Sequence, residues 1–206
     1  MSDTRTSGNR TAWIIGTAGG LVVVLLIAAV IFGNNEVGAE YGTPTVTGEP
    51  LPQMPQLAID TSATGLTPPT VEGADFDGTS VTIDPDDGRA KGIVFLAHWC
   101  SHCQEEAPRV QEWLDSGGGV DGVDLYSVAT SINSGRDNYP PSAWLDRLGW
   151  TVPNIVDDQE LSALIGYGAG GFPYWVFLNA DGSVALRTSG QLQIEQLEEI
   201  LGLLEQ

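Results

Sequence analysis

The stretch Trp99-Cys100-Ser101-His102-Cys103 decides how the rest of the chain is interpreted. It holds the two cysteines of the 206-residue chain, with two residues between them. An apolar run at residues 93–97 (IVFLA) precedes it and predicts a buried strand, and apolar residues recur at helical spacing over residues 107–114. The motif is therefore expected where a strand turns into a helix.

This position predicts the chemistry of the two thiols. At the start of a helix, unpaired backbone N–H groups and the positive end of the helix dipole favour a thiolate over a thiol. Cys100 is therefore the expected nucleophile, with a pKa in the roughly 3.5 to 7.5 range of such motifs. Cys103, one turn further along, is placed to resolve the mixed disulfide that Cys100 forms.

Three other uses of a C-x-x-C motif fit this sequence less well. A zinc site would draw on His98 and His102, but His98 leaves the strand on the face opposite Trp99 and the chain has a single C-x-x-C. A purely structural disulfide would close too short a loop to stabilise the fold much. Haem attachment needs a histidine where Gln104 stands. The prediction is redox chemistry without a metal or another cofactor.

The amino-terminal part of the chain predicts a membrane anchor. Residues 12–32 carry no charge over 21 positions, which as a helix is roughly 31 Å and enough to cross a bilayer. Arg5 and Arg10 precede this span and acidic residues follow it from Glu36. The positive-inside rule then places residues 1–11 in the cytoplasm and the rest of the chain outside, in a single-pass protein of the cell membrane.

A cleaved signal peptide is the alternative explanation of the apolar span, because Val37-Gly38-Ala39 resembles a signal peptidase site. The span is longer than the apolar region of a usual signal peptide, which favours a retained anchor. In either case the carboxyl-terminal domain is extracytoplasmic, where a cysteine pair can form a disulfide.

Composition separates a linker from a globular domain. Residues 33–70 contain six prolines among glycine, threonine and acidic residues, and predict an extended linker. Residues 71–206 are the predicted domain. The net charge of −19 argues against nucleic acid as a partner and against docking on anionic lipid.

Strand and helix patterns alternate along the predicted domain. In order, they are a hairpin at 71–83, a strand at 93–97, a helix at 104–114, a strand at 123–129, a helix at 140–148, a strand at 154–156, a helix at 159–165, a hairpin at 174–186 and a helix at 194–204. This order predicts an α/β fold with a mixed central sheet flanked by helices.

Four features together resemble a thioredoxin-like fold. They are W-C-x-x-C after a strand, Glu106 and Pro108 in the following helix, Gly171-Phe172-Pro173 before the next-to-last strand, and the Asp181-Gly182 turn. More narrowly, the chain resembles the membrane-anchored TlpA/ResA-like thiol-disulfide oxidoreductases. The likeness covers residues 71–206.

The resemblance implies roles for particular residues. Cys100 matches the attacking cysteine and Cys103 the resolving one, and the pair alternates between dithiol and disulfide. Pro173 matches the cis-proline beside the active site, and Glu106 matches a carboxylate proposed to act on the protons of the pair. The remaining residues of the expected active-site environment are Trp99, Ser101, His102 and Phe172.

The sequence also departs from the family's pattern. Val94 stands where ordinary thioredoxins have a buried acid, which leaves Glu106 as the obvious carboxylate for proton transfer. His102 occupies a position found in strongly oxidising relatives and is expected to stabilise the thiolate of the neighbouring cysteine. From the residues themselves, Ser101 and Gln104 fit a helix capping box.

The predicted function is a membrane-tethered oxidoreductase that reduces, or in the reverse direction oxidises, the disulfides of protein substrates. A membrane redox partner would restore the dithiol. A peroxiredoxin-like antioxidant protein is an alternative, although it needs a hydroxyl residue where Ala97 stands. A copper carrier on the same fold is another alternative. Such carriers have a C-x-x-x-C motif and a distant histidine, whereas this chain has C-x-x-C and no histidine beyond His102.

Overall fold

The computed structural model describes residues 40–55 and 59–204. Its strands are β1 (Thr45–Thr47), β2 (Ile59–Asp60), β3 (Thr70–Ala74), β4 (Ser80–Ile83), β5 (Ala90–Leu96), β6 (Val123–Ala129), β7 (Asn154–Val156), β8 (Tyr174–Leu178) and β9 (Val184–Ser189). Its helices are α1 (Ser101–Asp115), α2 (Pro141–Leu148), α3 (Ser162–Gly166) and α4 (Ile194–Gly202).

The six-stranded sheet has the order β2-β9-β8-β5-β6-β7. The strands β5, β6 and β7 are parallel, whereas β8 is antiparallel to both β5 and β9. All seven residues of β5 are buried, because both faces of the sheet are covered at its centre. The prediction of an α/β fold with a mixed central sheet is therefore confirmed. A smaller sheet, of order β1-β3-β4, contains the predicted hairpin.

Side-chain alternation along β5 and β8 divides the core into two clusters. One face of the sheet contributes Ile93, Phe95, Tyr174, Val176 and Leu178. The other face packs against α1 and α4, through Val94, Leu96, Trp175 and Phe177 from the sheet, Cys103, Ala107, Val110 and Trp113 from α1, and Leu197 and Leu201 from α4. The second cluster therefore holds one cysteine of the motif inside the apolar core.

The predicted linker at residues 33–70 is wrong for the part that the structure describes. β1 pairs with β3, β2 pairs with β9, and Leu51, Met54 and Ala63 are buried. This packing could not be predicted from the sequence, because β1 and β2, with three and two residues, are too short to show a hydrophobic period. The described residues before position 71 therefore belong to the folded domain.

The predicted cytoplasmic segment and membrane span, residues 1–11 and 12–32, lie outside the described residues. Among the helices at 40–55 and 59–204, none is long and apolar enough to cross a membrane.

The helix predicted at 159–165 begins later than expected. Leu161 has a left-handed backbone with φ 63°, and α3 begins at Ser162. The carboxylate of Asp158 accepts a hydrogen bond from the Ser162 N–H at 2.8 Å, which gives this N–H group at the helix start a partner. The interval before the helix is therefore a turn, which the apolar spacing did not reveal.

A buried ion pair attaches the amino-terminal part of the domain to β9. The guanidinium of Arg187 is buried and binds the Asp60 carboxylate, with Nε 3.1 Å from Oδ2. It also donates to the carbonyl of Pro52 over 2.7 Å. This one side chain therefore connects two parts of the segment that was expected to be a linker.

Replacing Asp60 with asparagine is expected to lower the free energy of unfolding by about 3 kcal/mol, because Arg187 would remain buried without its counter-ion. Chemical denaturation measures the change. The control is Asp146→Asn, which removes an exposed carboxylate and should change stability by less than ~0.5 kcal/mol. Equal effects of the two substitutions would contradict the anchoring role of the ion pair.

Candidate active site

The cysteine motif lies at the carboxyl end of the central strand β5. Cys100 is the N-cap residue of α1, with an extended backbone, and Cys103 is in the first turn. Both are free thiols; Cys100 is half-buried and Cys103 is fully buried. The strand-to-helix junction predicted from the sequence is confirmed, and it exposes one sulfur while enclosing the other.

The sulfur of Cys100 is strongly stabilised as a thiolate, and its pKa is lowered to about 5. The largest cause is a hydrogen bond from the thiol of Cys103. The backbone N–H groups of Cys103 and His102 and the charge of His102 lower the pKa further, whereas partial burial opposes them. The sequence argument predicted the N–H groups of the helix start; it missed the contribution of the second thiol.

Cys103 behaves in the opposite way. Burial raises the pKa of its thiol far above the ordinary value, and the nearby thiolate of Cys100 and carboxylate of Glu106 raise it further. The proton therefore stays on Cys103 in the dithiol form. In the dithiol form, Cys100 is therefore the nucleophile, and Cys103 stays protonated and donates a hydrogen bond to it.

Glu106 is a buried carboxyl group, three residues beyond Cys103 on the same helix, and only 1% of its surface is exposed. Its Oε1 accepts hydrogen bonds from the Trp175 indole at 3.2 Å and from the Leu192 N–H at 2.9 Å. Its Oε2 is buried without a hydrogen-bond partner among the described residues. Burial raises the pKa of Glu106 to about 7, so the group can gain or lose a proton near neutral pH.

Phe172 and Pro173 lie directly beside the nucleophile. The peptide bond between them is cis, and the carbonyl oxygen of Phe172 is 3.7 Å from the Cys100 sulfur. The Trp99 ring meets the Phe172 ring edge to face, with centroids 6.1 Å apart. The structure therefore brings Trp99 and the Phe172–Pro173 peptide together beside the Cys100 sulfur.

Ser101 and Gln104 do not form the expected capping box. The N-cap residue is Cys100, no side chain caps the helix, and Ser101 is exposed. Gln104 instead donates to the carbonyl of His98 at 2.9 Å. With Cys100 as the N-cap residue, the helix begins one residue earlier than a Ser101 cap requires.

His98 has a structural role that the sequence did not reveal. Its side chain is buried, Nδ1 donates to the Asp137 carbonyl at 2.8 Å, and Nε2 accepts from the Asn133 N–H at 3.1 Å. Burial lowers the pKa of this imidazole, which is therefore neutral. Since both ring nitrogens bind backbone groups, His98 holds the loop that contains residues 131–138 in place.

His102 provides a prediction about the reduction potential. Its charge and its backbone N–H both lower the pKa of Cys100, so alanine removes one influence and proline removes both. We expect the potential to move in the reducing direction for His102→Ala and further for His102→Pro, by about 30 mV for each unit that the Cys100 pKa rises. Redox titration against glutathione measures this, and a shift towards oxidising values would contradict it.

No family model matches the chain, but comparison with individual proteins finds similar ones whose names agree with one another. The chain is 28% identical over 141 residues to the thiol-disulfide oxidoreductase ResA of Geobacillus thermodenitrificans, covering 68% of this chain and 76% of that protein. Among solved structures it resembles a thioredoxin-family thiol:disulfide interchange protein from Chlorobium tepidum, with a TM-score of 0.56 and 22% identity, covering 70% of this chain and 97% of the other.

A second solved structure, the exposed lipoprotein thioredoxin of Streptococcus pneumoniae, matches with a TM-score of 0.53 and 22% identity over 65% of this chain and 98% of that one. The sheet order and the cysteine pair at the start of α1 define a thioredoxin-fold protein with a dithiol site. More specifically, the chain is similar to thiol-disulfide oxidoreductases named ResA, at 28% and 24% identity over 141 and 130 residues, which agrees with the resemblance noted in its sequence.

Proposed function

We propose that the chain is a membrane-tethered, extracytoplasmic enzyme that reduces protein disulfides with the Cys100–Cys103 dithiol. The observation that carries this proposal is the geometry of the pair: Cys100 is half-buried at the start of α1, 3.7 Å from the Phe172 carbonyl, and Cys103 is fully buried in the first turn. A peroxiredoxin-like role is disfavoured because the position three residues before Cys100 is Ala97, a buried side chain without a hydroxyl group.

In the first step, the thiolate of Cys100 attacks one sulfur of the substrate disulfide. The substrate S–S bond breaks, a mixed disulfide joins Cys100 to the substrate, and the other substrate sulfur leaves as a thiolate that takes a proton from water. The low pKa of Cys100 supports this role because the thiolate is the nucleophilic form. The Phe172 carbonyl, 3.7 Å from the sulfur, lies where a substrate backbone would pass.

In the second step, Cys103 must lose its proton before it can attack. We assign Glu106 as the base, because its pKa of about 7 and its unpartnered Oε2 suit it to take a proton from a buried neighbour. Cys103 then attacks the Cys100 sulfur and releases the second substrate thiolate. Two electrons have passed from the dithiol to the substrate disulfide, and Cys100 and Cys103 are left as a disulfide.

The reduction potential of the Cys100–Cys103 pair tests the direction of electron flow. Glu106 beside Cys103 favours the step that closes the disulfide, whereas the low pKa of Cys100 stabilises the reduced form and makes the disulfide more oxidising. We expect a potential between the roughly −270 mV of a reducing thioredoxin and the roughly −120 mV of a strong oxidant. A value at the oxidising end would reverse the proposed direction.

The proposed location rests on the apolar span at residues 12–32 and on the basic residues before it. The relative from Streptococcus pneumoniae is itself described as an exposed lipoprotein, which supports an extracytoplasmic site of action for this chain. A reporter that is active only outside the cytoplasm, fused after Gln206, should be active. A cytoplasmic signal would contradict the proposal.

The activity is tested with the full-length chain in detergent, reduced and then freed of reductant. On mixing with insulin, we expect two insulin thiols to appear for each Cys100–Cys103 disulfide that forms in the enzyme. Cys100→Ser should abolish both. If the wild-type dithiol survives and no insulin thiol appears, the proposed function is wrong.

A further inference from the structure

The loop that contains residues 131–138, here called the active-site loop, is held against the cysteine motif by the two residues that precede Cys100. The Trp99 indole donates to the Ser131 carbonyl at 2.7 Å. Both ring nitrogens of His98 bind the backbone of the same loop. The loop is therefore fixed relative to the nucleophile, and a side chain that it carries can serve the site.

Arg136 is the cation that this loop presents. Its guanidinium carbon lies 5.0 Å from the centroid of the Trp99 ring, a cation–π contact, and the residue is exposed. The ion pairs of the described residues join Arg89 to Asp124, Lys91 to Asp87 and Arg187 to Asp60, so none of them includes Arg136.

An arginine outside the ion pairs is unusual in a chain with a net charge of −19, in which acidic residues outnumber lysines and arginines more than threefold. The nearest charged neighbour in sequence is Asp137, an exposed residue whose backbone carbonyl accepts a hydrogen bond from His98. On the same loop, Asn138 accepts a hydrogen bond from Arg147 at 3.1 Å. On the helix side of the motif the exposed charged groups are His102 and Glu105.

We propose that Arg136 is a specificity-determining residue that binds a carboxylate of the substrate polypeptide close to its reactive cysteine. This inference rests on the proposed function. The cation–π contact holds the guanidinium over the Trp99 ring, and its N–H donors, which form no ion pair with a described residue, have the forked geometry that suits a carboxylate. Because Trp99 is bonded directly to Cys100, the carboxylate would belong to a residue within a few positions of the substrate cysteine.

The overall charge of the chain predicts the opposite preference. A strongly acidic protein repels acidic peptides and attracts basic ones at long range. At physiological ionic strength that field is screened beyond about 8 Å, whereas a contact with Arg136 is made at shorter range. The sign of the preference therefore separates local recognition from general electrostatics.

The experiment uses three peptides with one intramolecular disulfide each, identical except for glutamate, glutamine or lysine beside the cysteines. The rate constant for oxidation of the reduced full-length chain is measured at physiological salt in uncharged detergent. We expect the glutamate peptide to react about tenfold faster than the lysine peptide. Arg136→Gln should abolish this ratio, whereas Arg89→Gln, an equal charge change at the opposite end of β5, should retain it.

The outcomes separate the two proposals. If the wild-type chain oxidises with equal rates on all three peptides, or fastest on the lysine peptide, the inference is overturned and the oxidoreductase function stands. The inference is also overturned if Arg136→Gln keeps the ratio or if Arg89→Gln loses it. If the wild-type chain reacts with none of the peptides, the proposed function itself fails.

Discussion

Replacing Cys103 with alanine is expected to stop the reaction after the first step and to leave the substrate bonded to Cys100. No second thiol is then held beside the mixed disulfide. External thiols at millimolar concentration replace an intramolecular group poorly, so turnover should fall by about 10³-fold or more. Mass spectrometry of the unreduced protein identifies the adduct and its position.

The same substitution should also raise the pKa of Cys100, because the thiol of Cys103 is the largest cause that lowers it. Cys103→Ser is the matched control: a serine hydroxyl can still donate to the thiolate, but it cannot form a disulfide. Both variants should accumulate the adduct. Only in the alanine variant should the pKa of Cys100 rise most of the way back to that of an ordinary thiol. Multiple turnovers by either variant would contradict the assigned roles.

Replacing Glu106 with glutamine is expected to slow the resolving step by about 10²-fold above pH 7, where the wild-type carboxylate acts as a base. In the wild type this step should accelerate as the pH rises through about 7, and the variant should lack that inflection. Rapid mixing followed by acid quenching measures the decay of the mixed disulfide. Glu105→Gln, which changes the adjacent exposed carboxylate, is the control and should retain the inflection.

The stability of the fold gives a second test of the same group. The folded-state pKa of Glu106 is raised from its ordinary 4.5 to about 7. Its favourable contribution is therefore complete below pH 4.5 and is lost as the pH rises through 7, by about 3 kcal/mol for this buried group. The difference in unfolding free energy between wild type and Glu106→Gln should follow that course.

This comparison is best made on the disulfide form. In the dithiol form the lowered pKa of Cys100 acts with the opposite sign, because it adds stability as the pH rises above about 5. The disulfide form has no thiolate and isolates the carboxyl group. A pH-independent difference between the two proteins would show that Glu106 is not the titrating group.

The sequence predicted those parts of the fold that depend on local signals. The apolar run of β5, the strand-to-helix junction at the cysteine motif and the turn at Asp181-Gly182 each follow from residues a few positions apart, and each was found where expected. The segment at residues 40–55 was missed because its order comes from contacts with distant partners. Gly42, for example, donates to the carbonyl of Asp157.

The candidate site shows the same division. The roles of the two cysteines follow from their spacing, but the surroundings of Glu106 depend on Trp175 and Leu192, 69 and 86 residues further along the chain. A glutamate on a helix gives no sign by itself that it is buried. Arg136 was missed for a similar reason, since only the folded loop places it over Trp99.

The central claim is that Cys100 is a thiolate at neutral pH and attacks first. The most direct measurement is the rate of alkylation of Cys100 in the reduced full-length chain as a function of pH, with the modified residue identified by peptide mapping. We expect a single inflection at about pH 5 and protection of Cys103 throughout. An inflection near roughly 8.5, the ordinary value for a cysteine thiol, or modification of Cys103 before Cys100, would contradict it.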